Sequence, residues 1–96
     1  MPERELTREV TISNANGLHT RPAGRIAAVA RRFESEVRLR CGTRSADGKS
    51  IVSLLTLAAA HGRKVRVSAR GPDAADALDT LCQLIETGLG DELEEA

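Results

Sequence analysis

The residues best equipped for chemistry lie together in Gly17-Leu18-His19-Thr20-Arg21-Pro22-Ala23. Proline fits the first turn of a helix, where backbone N–H groups have no intrahelical partner, and Thr20 beside it is an acceptable N-cap. From Ala23 onward, Ala23, Ile26, Ala27, Ala30 and Phe33 recur at three- and four-residue spacing, the pattern of an amphipathic helix. His19 is therefore expected at the mouth of that helix, beside its open N–H groups and the positive end of its dipole, a place that attracts phosphate. Arg21 adds a planar donor fork suited to phosphate oxygens. Asn16-Gly17 supplies a turn able to take positive φ just before the histidine. A nitrogen nucleophile placed where a phosphoryl group is stabilised makes a phosphate-accepting site.

A second chemistry-bearing stretch is Asp47-Gly48-Lys49-Ser50-Ile51-Val52-Ser53-Leu54-Leu55. Its Gly-Lys-Ser end is not a nucleotide-binding loop: that motif needs a glycine five positions before Gly48, where Thr43 stands, and a strand before the loop. Ser50 reads instead as the N-cap of a short helix. Leu54 and Leu57 can point into a core, with Ile51 partly so. Val52 and Leu55 are then expected on the outer side as an exposed apolar patch, a frequent mark of docking surfaces.

The elements that must position these residues follow from periodicity. Residues 6–13 read as a strand with Val10 and Ile12 on one face, and residues 20–33 as the first helix. Residues 37–41 alternate as a half-buried strand; after a turn at Cys41-Gly42-Thr43, residues 43–45 are expected to return as a short strand. A short helix runs from Ser50 to residue 58 or 60 and is closed by Gly62, with His61 in the connecting turn. Residues 65–69 form another strand. Gly71-Pro72-Asp73 opens a last helix, with Ala74, Ala77, Leu78, Leu81, Leu84 and Ile85 as its buried stripe and Gly88 as its stop. The order β-α-β-β-α-β-α predicts an α+β fold, an antiparallel sheet with helices packed on one side.

One small domain is all that 96 residues at 41% hydrophobic content support. Its core lies within about 6–88, and 89–96 is expected to be a frayed acidic tail. Phe33 is the single aromatic residue, so Leu, Ile, Val and Ala must build the core. No long apolar run or secretory leader is visible, and the expectation is a cytoplasmic protein without membrane insertion. Cys41 and Cys82 lack ligand spacing and read as buried free thiols, with no metal expected. The formal net charge is +0, yet residues 20–70 carry twelve of the Lys and Arg against three acids, while residues 71–96 carry eight acids and no base. A partner docking on the basic part is expected to be acidic; nucleic acid is disfavoured because aromatic stacking platforms are missing.

Asn16-Gly17-Leu18-His19-Thr20-Arg21-Pro22-Ala23 and Gly48-Lys49-Ser50-Ile51 together resemble the active-site and regulatory-serine signatures of HPr, the histidine-containing phosphocarrier family of the bacterial phosphoenolpyruvate-dependent sugar phosphotransferase system. The resemblance covers residues 6–88. It implies an open-faced β-sandwich, with a four-stranded antiparallel sheet and three helices on one face. By this resemblance His19 takes a phosphoryl group from Enzyme I on Nδ1 and passes it to Enzyme IIA, Arg21 balances its charge, and the amides after Thr20 assist. Thr20, Arg21, Ile51, Val52 and Leu55 would line the docking surface, and Ser50 would be the target of the HPr kinase/phosphatase. The chain would be a carrier without cofactor or metal, a monomer, and not itself an enzyme. A nitrogen-type regulatory relay, or an interaction module acting through Ser50, are the alternatives. Gly24 departs from common family versions, in which a larger helix former takes the first turn.

Overall fold

A computed structural model describes residues 4–88. Seven elements follow one another: β1 (Glu5–Thr11), α1 (Thr20–Ala30), β2 (Glu36–Cys41), β3 (Arg44–Asp47), α2 (Ile51–Leu55), β4 (Lys64–Arg70) and α3 (Ala74–Glu86). The strands form one sheet in the order β1-β4-β2-β3, antiparallel at every pairing. This is the expected open-faced sandwich.

Alternation decides which face each strand buries. Val37, Leu39 and Cys41 of β2 and Val65, Val67 and Ala69 of β4 point toward the helices, while Glu36, Arg38, Arg40, Lys64, Arg66 and Arg70 stand on the open face. The helices answer with Ile26, Leu54, Leu81 and Ile85, all fully buried; each such side chain is worth about 1.5–3 kcal/mol relative to exposure. Ala23, Ala27 and Ala30 line the same side of α1 and are buried too. Small side chains let α1 lie close to the layer beneath it. Cys41 and Cys82 are buried free thiols, and burial pushes the Cys82 thiol up.

Several boundaries differ from those expected. The N-cap of α1 is His19, not Thr20. Pro22 has no N–H to offer the Leu18 carbonyl, so the first intrahelical bond runs from Ala23 N–H to the His19 carbonyl at 3.0 Å. The same helix stops at Ala30 rather than at residue 33: Arg32 N–H turns to the Val29 carbonyl (3.0 Å) and Phe33 N–H to the Ala30 carbonyl (3.1 Å), tightening the chain into a turn, and the donors beyond serve another element. Glu34 N–H donates to Asp73 Oδ2 (3.0 Å), and Ser35 N–H and Ser35 Oγ donate to Asp73 Oδ1 (2.9 and 2.5 Å). Asp73 is the N-cap of α3 but spends its carboxylate on this turn instead of its own helix. Those donors hold its carboxyl below the ordinary aspartate value, the Ser35 hydroxyl most of all.

The short helix α2 ends at Leu55, three or more residues early, and Ala58 takes φ +52°. The chain is therefore closed by a left-handed alanine, while Gly62 (φ +88°) belongs to the turn into β4. The strand β3 covers Arg44–Asp47, displaced from residues 43–45. Helix α3 stops as expected: Thr87 is its C-cap and Gly88 follows at φ +86°. The acidic tail 89–96 lies outside the described residues. Among the described residues no helix is long and apolar enough to cross a membrane.

Candidate functional site

Residues 12–19 connect β1 to α1 and are fixed from two sides. Ile12 N–H donates to the Arg63 carbonyl (2.9 Å) and its carbonyl accepts from Gly62 N–H (2.8 Å), while Leu18 N–H donates to the Ala59 carbonyl (2.8 Å). Inside the loop, buried Asn14 donates from Nδ2 to the Gly17 carbonyl at 2.6 Å, and Gly17 N–H returns a bond to the Asn14 carbonyl at 3.1 Å. From the far side, the Ser13 hydroxyl lies 3.5 Å from the Ile85 carbonyl and 3.4 Å from that of Glu86, tying the loop loosely to the end of α3.

Gly17 is required here twice over. Its φ is +68°, and a Cβ at this position would sit 2.6 Å from the Ala59 carbonyl oxygen and 2.9 Å from Ala60 Cα. The segment 59–60 was not visible in the sequence as a support for the histidine loop. Its only signal was the run of small residues Ala58-Ala59-Ala60, which permits a close approach.

His19 leaves this loop in an extended conformation (φ −100°, ψ −167°), half-buried, with its carbonyl already in the ladder of α1. Thr20 and Arg21, the first two residues of the helix, are exposed. First-turn N–H groups point along the axis toward the helix opening and carry the positive end of the dipole. His19, Thr20 and Arg21 thus run in sequence from the anchored loop into the opening of α1.

Helix α2 lies against the same helix. Gly24, one turn on from Thr20 and Arg21, faces it: a Cβ there would be 3.9 Å from Ile51 Cδ1. Ile51 is half-buried, Val52 is 75% exposed and Leu55 38% exposed, the latter two being the exposed large hydrophobics among the described residues. Leu54 and Leu57 point inward, as the sequence indicates.

Ser50 is the N-cap of α2, its hydroxyl accepting from Ser53 N–H at 3.1 Å. The Ser53 hydroxyl in turn accepts from Asp47 N–H (2.9 Å), and Asp47 Oδ1 accepts from Lys49 N–H (2.9 Å). Arg31 Nε donates to the Lys49 carbonyl (2.9 Å) and Lys49 Nζ to that of Phe33 (2.8 Å). This clamp between α1's C-terminal turn and the serine loop was not legible in the sequence, where Arg31 stood outside both motifs. Among the described residues no group of three or more His, Cys, Asp or Glu is placed to hold a metal.

An open-faced sandwich with a histidine at a helix mouth and two exposed apolar residues on the neighbouring helix has the features of a small carrier domain. The family model described as the PTS HPr component phosphorylation site matches residues 6–87. The chain is 41% identical over 81 residues to the phosphocarrier protein HPr of Haemophilus influenzae, covering 84% of this chain and 95% of that one. It is 37% identical over 82 residues to the phosphocarrier protein NPr of Shewanella violacea, covering 85% and 90%. Its fold matches the crystal structure of the phosphocarrier protein HPr of Bacillus anthracis with a TM-score of 0.81 at 28% identity, over 84% of this chain and 96% of that one. The chain belongs to the HPr family of phosphocarriers.

Proposed function

We propose that His19 is the phosphoryl acceptor and donor of this phosphocarrier. The observation that carries this reading is the half-exposed His19 at the N-cap of α1, directly before the first-turn amides and two residues before exposed Arg21. Its Nδ1 lone pair attacks the phosphorus of a phosphohistidine on Enzyme I. An N–P bond forms to His19, the donor's N–P bond breaks, and that electron pair returns to the donor nitrogen. The reverse geometry delivers the group to Enzyme IIA. Arg21 and the helix opening compensate the phosphoryl charge without enclosing it, so the group can leave as readily as it arrives. No metal or cofactor of the carrier's own is needed.

Thr20, Arg21, Ile51, Val52 and Leu55 form the docking surface for these partners in the cytoplasm. Ser50 is a regulatory site at its edge, a substrate for an HPr kinase/phosphatase. A phosphate on Ser50 brings close to two negative charges beside Ile51 and Val52. At a helix N-terminus it leaves the fold intact, but it opposes an acidic partner. Sugar transport is the purpose we propose; the similarity to a phosphocarrier protein NPr supports a nitrogen-type regulatory relay as the second reading.

Incubation with phosphoenolpyruvate and Enzyme I tests the assignment. The expected product is acid-labile and base-stable, and His19→Ala abolishes it. Labelling that persists in His19→Ala refutes it. Comparing the sugar-type with the nitrogen-type Enzyme I as donor separates the two purposes.

A further inference from the structure

The open face of the sheet carries a cluster of cations with no partners. Arg40 of β2 lies directly opposite Arg66 of β4 in the ladder. Like charges so placed repel and weaken a sheet. Lys64 stands two residues before Arg66 on the same face, and the Arg63 guanidinium lies over the adjoining turn, 3.3 Å from where a Cβ on Gly42 would be. None of these four side chains makes a hydrogen bond or ion pair among the described residues. The one carboxylate nearby is Glu9, across the ladder from Arg66 and outside ion-pair distance. Arg40, Gly42, Lys64, Arg66 and Glu9 line an open recess of about 240 Å³.

The rest of this face is balanced. At the other end of the sheet Arg70 stands between Glu5 and Glu36, with Glu36 3.4 Å away, and Arg38 lies opposite Asp47. The excess positive charge is therefore confined to one corner. A broad acidic surface laid over the sheet would also meet Glu5, Glu9, Glu36 and Asp47. A single-stranded nucleic acid would find no aromatic side chain to stack on. What fits is a compact anion with several charges. Neighbouring strands are about 4.8 Å apart and alternate residues of one strand about 6.6 Å apart. Two guanidinium forks and an ammonium on that grid can hold adjacent phosphoryl groups, each fork bidentate.

We propose that this corner binds a compact polyphosphate, a ligand with at least two linked phosphoryl groups, between Arg40, Arg66 and Lys64, with Arg63 beside it over the Gly42 turn. The site lies on the sheet face opposite the helices and does not depend on the role assigned to His19. Titrating the full chain with inorganic pyrophosphate, followed by amide NMR, tests it. The expected result is saturable shifts at Arg40, Gly42, Lys64 and Arg66 that persist in His19→Ala. Orthophosphate and sulfate at equal ionic strength should bind at least about tenfold more weakly, since each loses one of two linked charge pairs. Arg40→Ser with Arg66→Ser should weaken pyrophosphate at least tenfold while raising the melting temperature of the unliganded protein, because the repelling pair is gone. Lys64→Gln, a single exposed change, should weaken binding without altering the fold. Equal response to sulfate, shifts confined to residues 19–24, or an acidic peptide binding where pyrophosphate does not would overturn the proposal.

Discussion

At the residue scale the site depends on atoms that are missing as much as on those present. Gly17 lacks the Cβ that would strike the 59–60 backbone, and Pro22 lacks the N–H that would have drawn Leu18 into the helix. Together they leave His19 at the boundary, with its backbone shared between loop and helix. Gly17→Ala should cost at least about 1–2 kcal/mol from its left-handed backbone alone, read as a lowered melting temperature. It should also slow phosphorylation of His19, because Leu18 N–H would be pushed off the Ala59 carbonyl. Unchanged stability would mean that the loop is not packed as described. Arg21→Ala should leave the fold intact and lower the phosphotransfer rate by about 10–150-fold, equivalent to losing one charge-assisted hydrogen bond of about 1.5–3 kcal/mol. Steady-state kinetics with phospho-Enzyme I measure this directly. Ser50→Asp should raise the KM for Enzyme I at least about tenfold, about 1.4 kcal/mol, with an unaltered melting curve.

At the scale of elements, α1 and α2 explain both what the sequence discloses and what it hides. Alternation in β2 and β4 and the stripe of α3 are legible because one face must be dry and the other wet. The inward Leu54 and Leu57 and outward Val52 and Leu55 are legible for the same reason, since a short helix on a sheet can bury only one side. The length of α2 is not legible. Leu57-Ala58-Ala59-Ala60 has good helix propensity, but Ala58 turns left-handed so that the Ala59 carbonyl can reach Leu18. A tertiary hydrogen bond overrides propensity there, whereas α1 ends in local turns at Arg32 and Phe33 before Glu34 and Ser35 donate to Asp73. The candidate site shows the same division: His19, Arg21 and Ser50 stand out by type and spacing, while their supports at 59–63, Arg31 and Lys49 lie far away in the chain.

Two predictions belong to this scale. Gly24 is helical, and a Cβ there meets only ordinary contact with Ile51, at 3.9 Å. Gly24→Ala should therefore stabilise the protein by about 0.5–1 kcal/mol, measured by denaturant titration. Destabilisation would show that α1 and α2 lie closer than described. Asp73 has a lowered pKa in the folded chain, so its contribution is full above the unfolded aspartate value of about 3.9 and is lost as pH falls through the folded value. Asp73→Asn should flatten the acid limb of the stability profile in that window. An acid limb identical to the parent's would contradict the role given to the Ser35–Asp73 contact.

For the whole molecule, the fold separates its surfaces. The helix side presents the histidine, the arginine and the apolar patch of α2, and the open sheet face keeps its charges to itself, balanced at one end and basic at the other. In the function proposed above, donor and acceptor use one surface in turn and neither is held long, which this separation serves. Association with acidic partners should weaken with rising salt, since exposed basic groups such as Arg21 attract them through solvent. The most direct test of the account is to phosphorylate the nitrogen-labelled chain with phosphoenolpyruvate and Enzyme I and read phosphorus–nitrogen coupling by NMR. Coupling to Nδ1 of His19 is expected, and it should disappear when Enzyme IIA is added. A phosphoryl group on any other residue, or one on His19 that no acceptor can remove, would contradict the account.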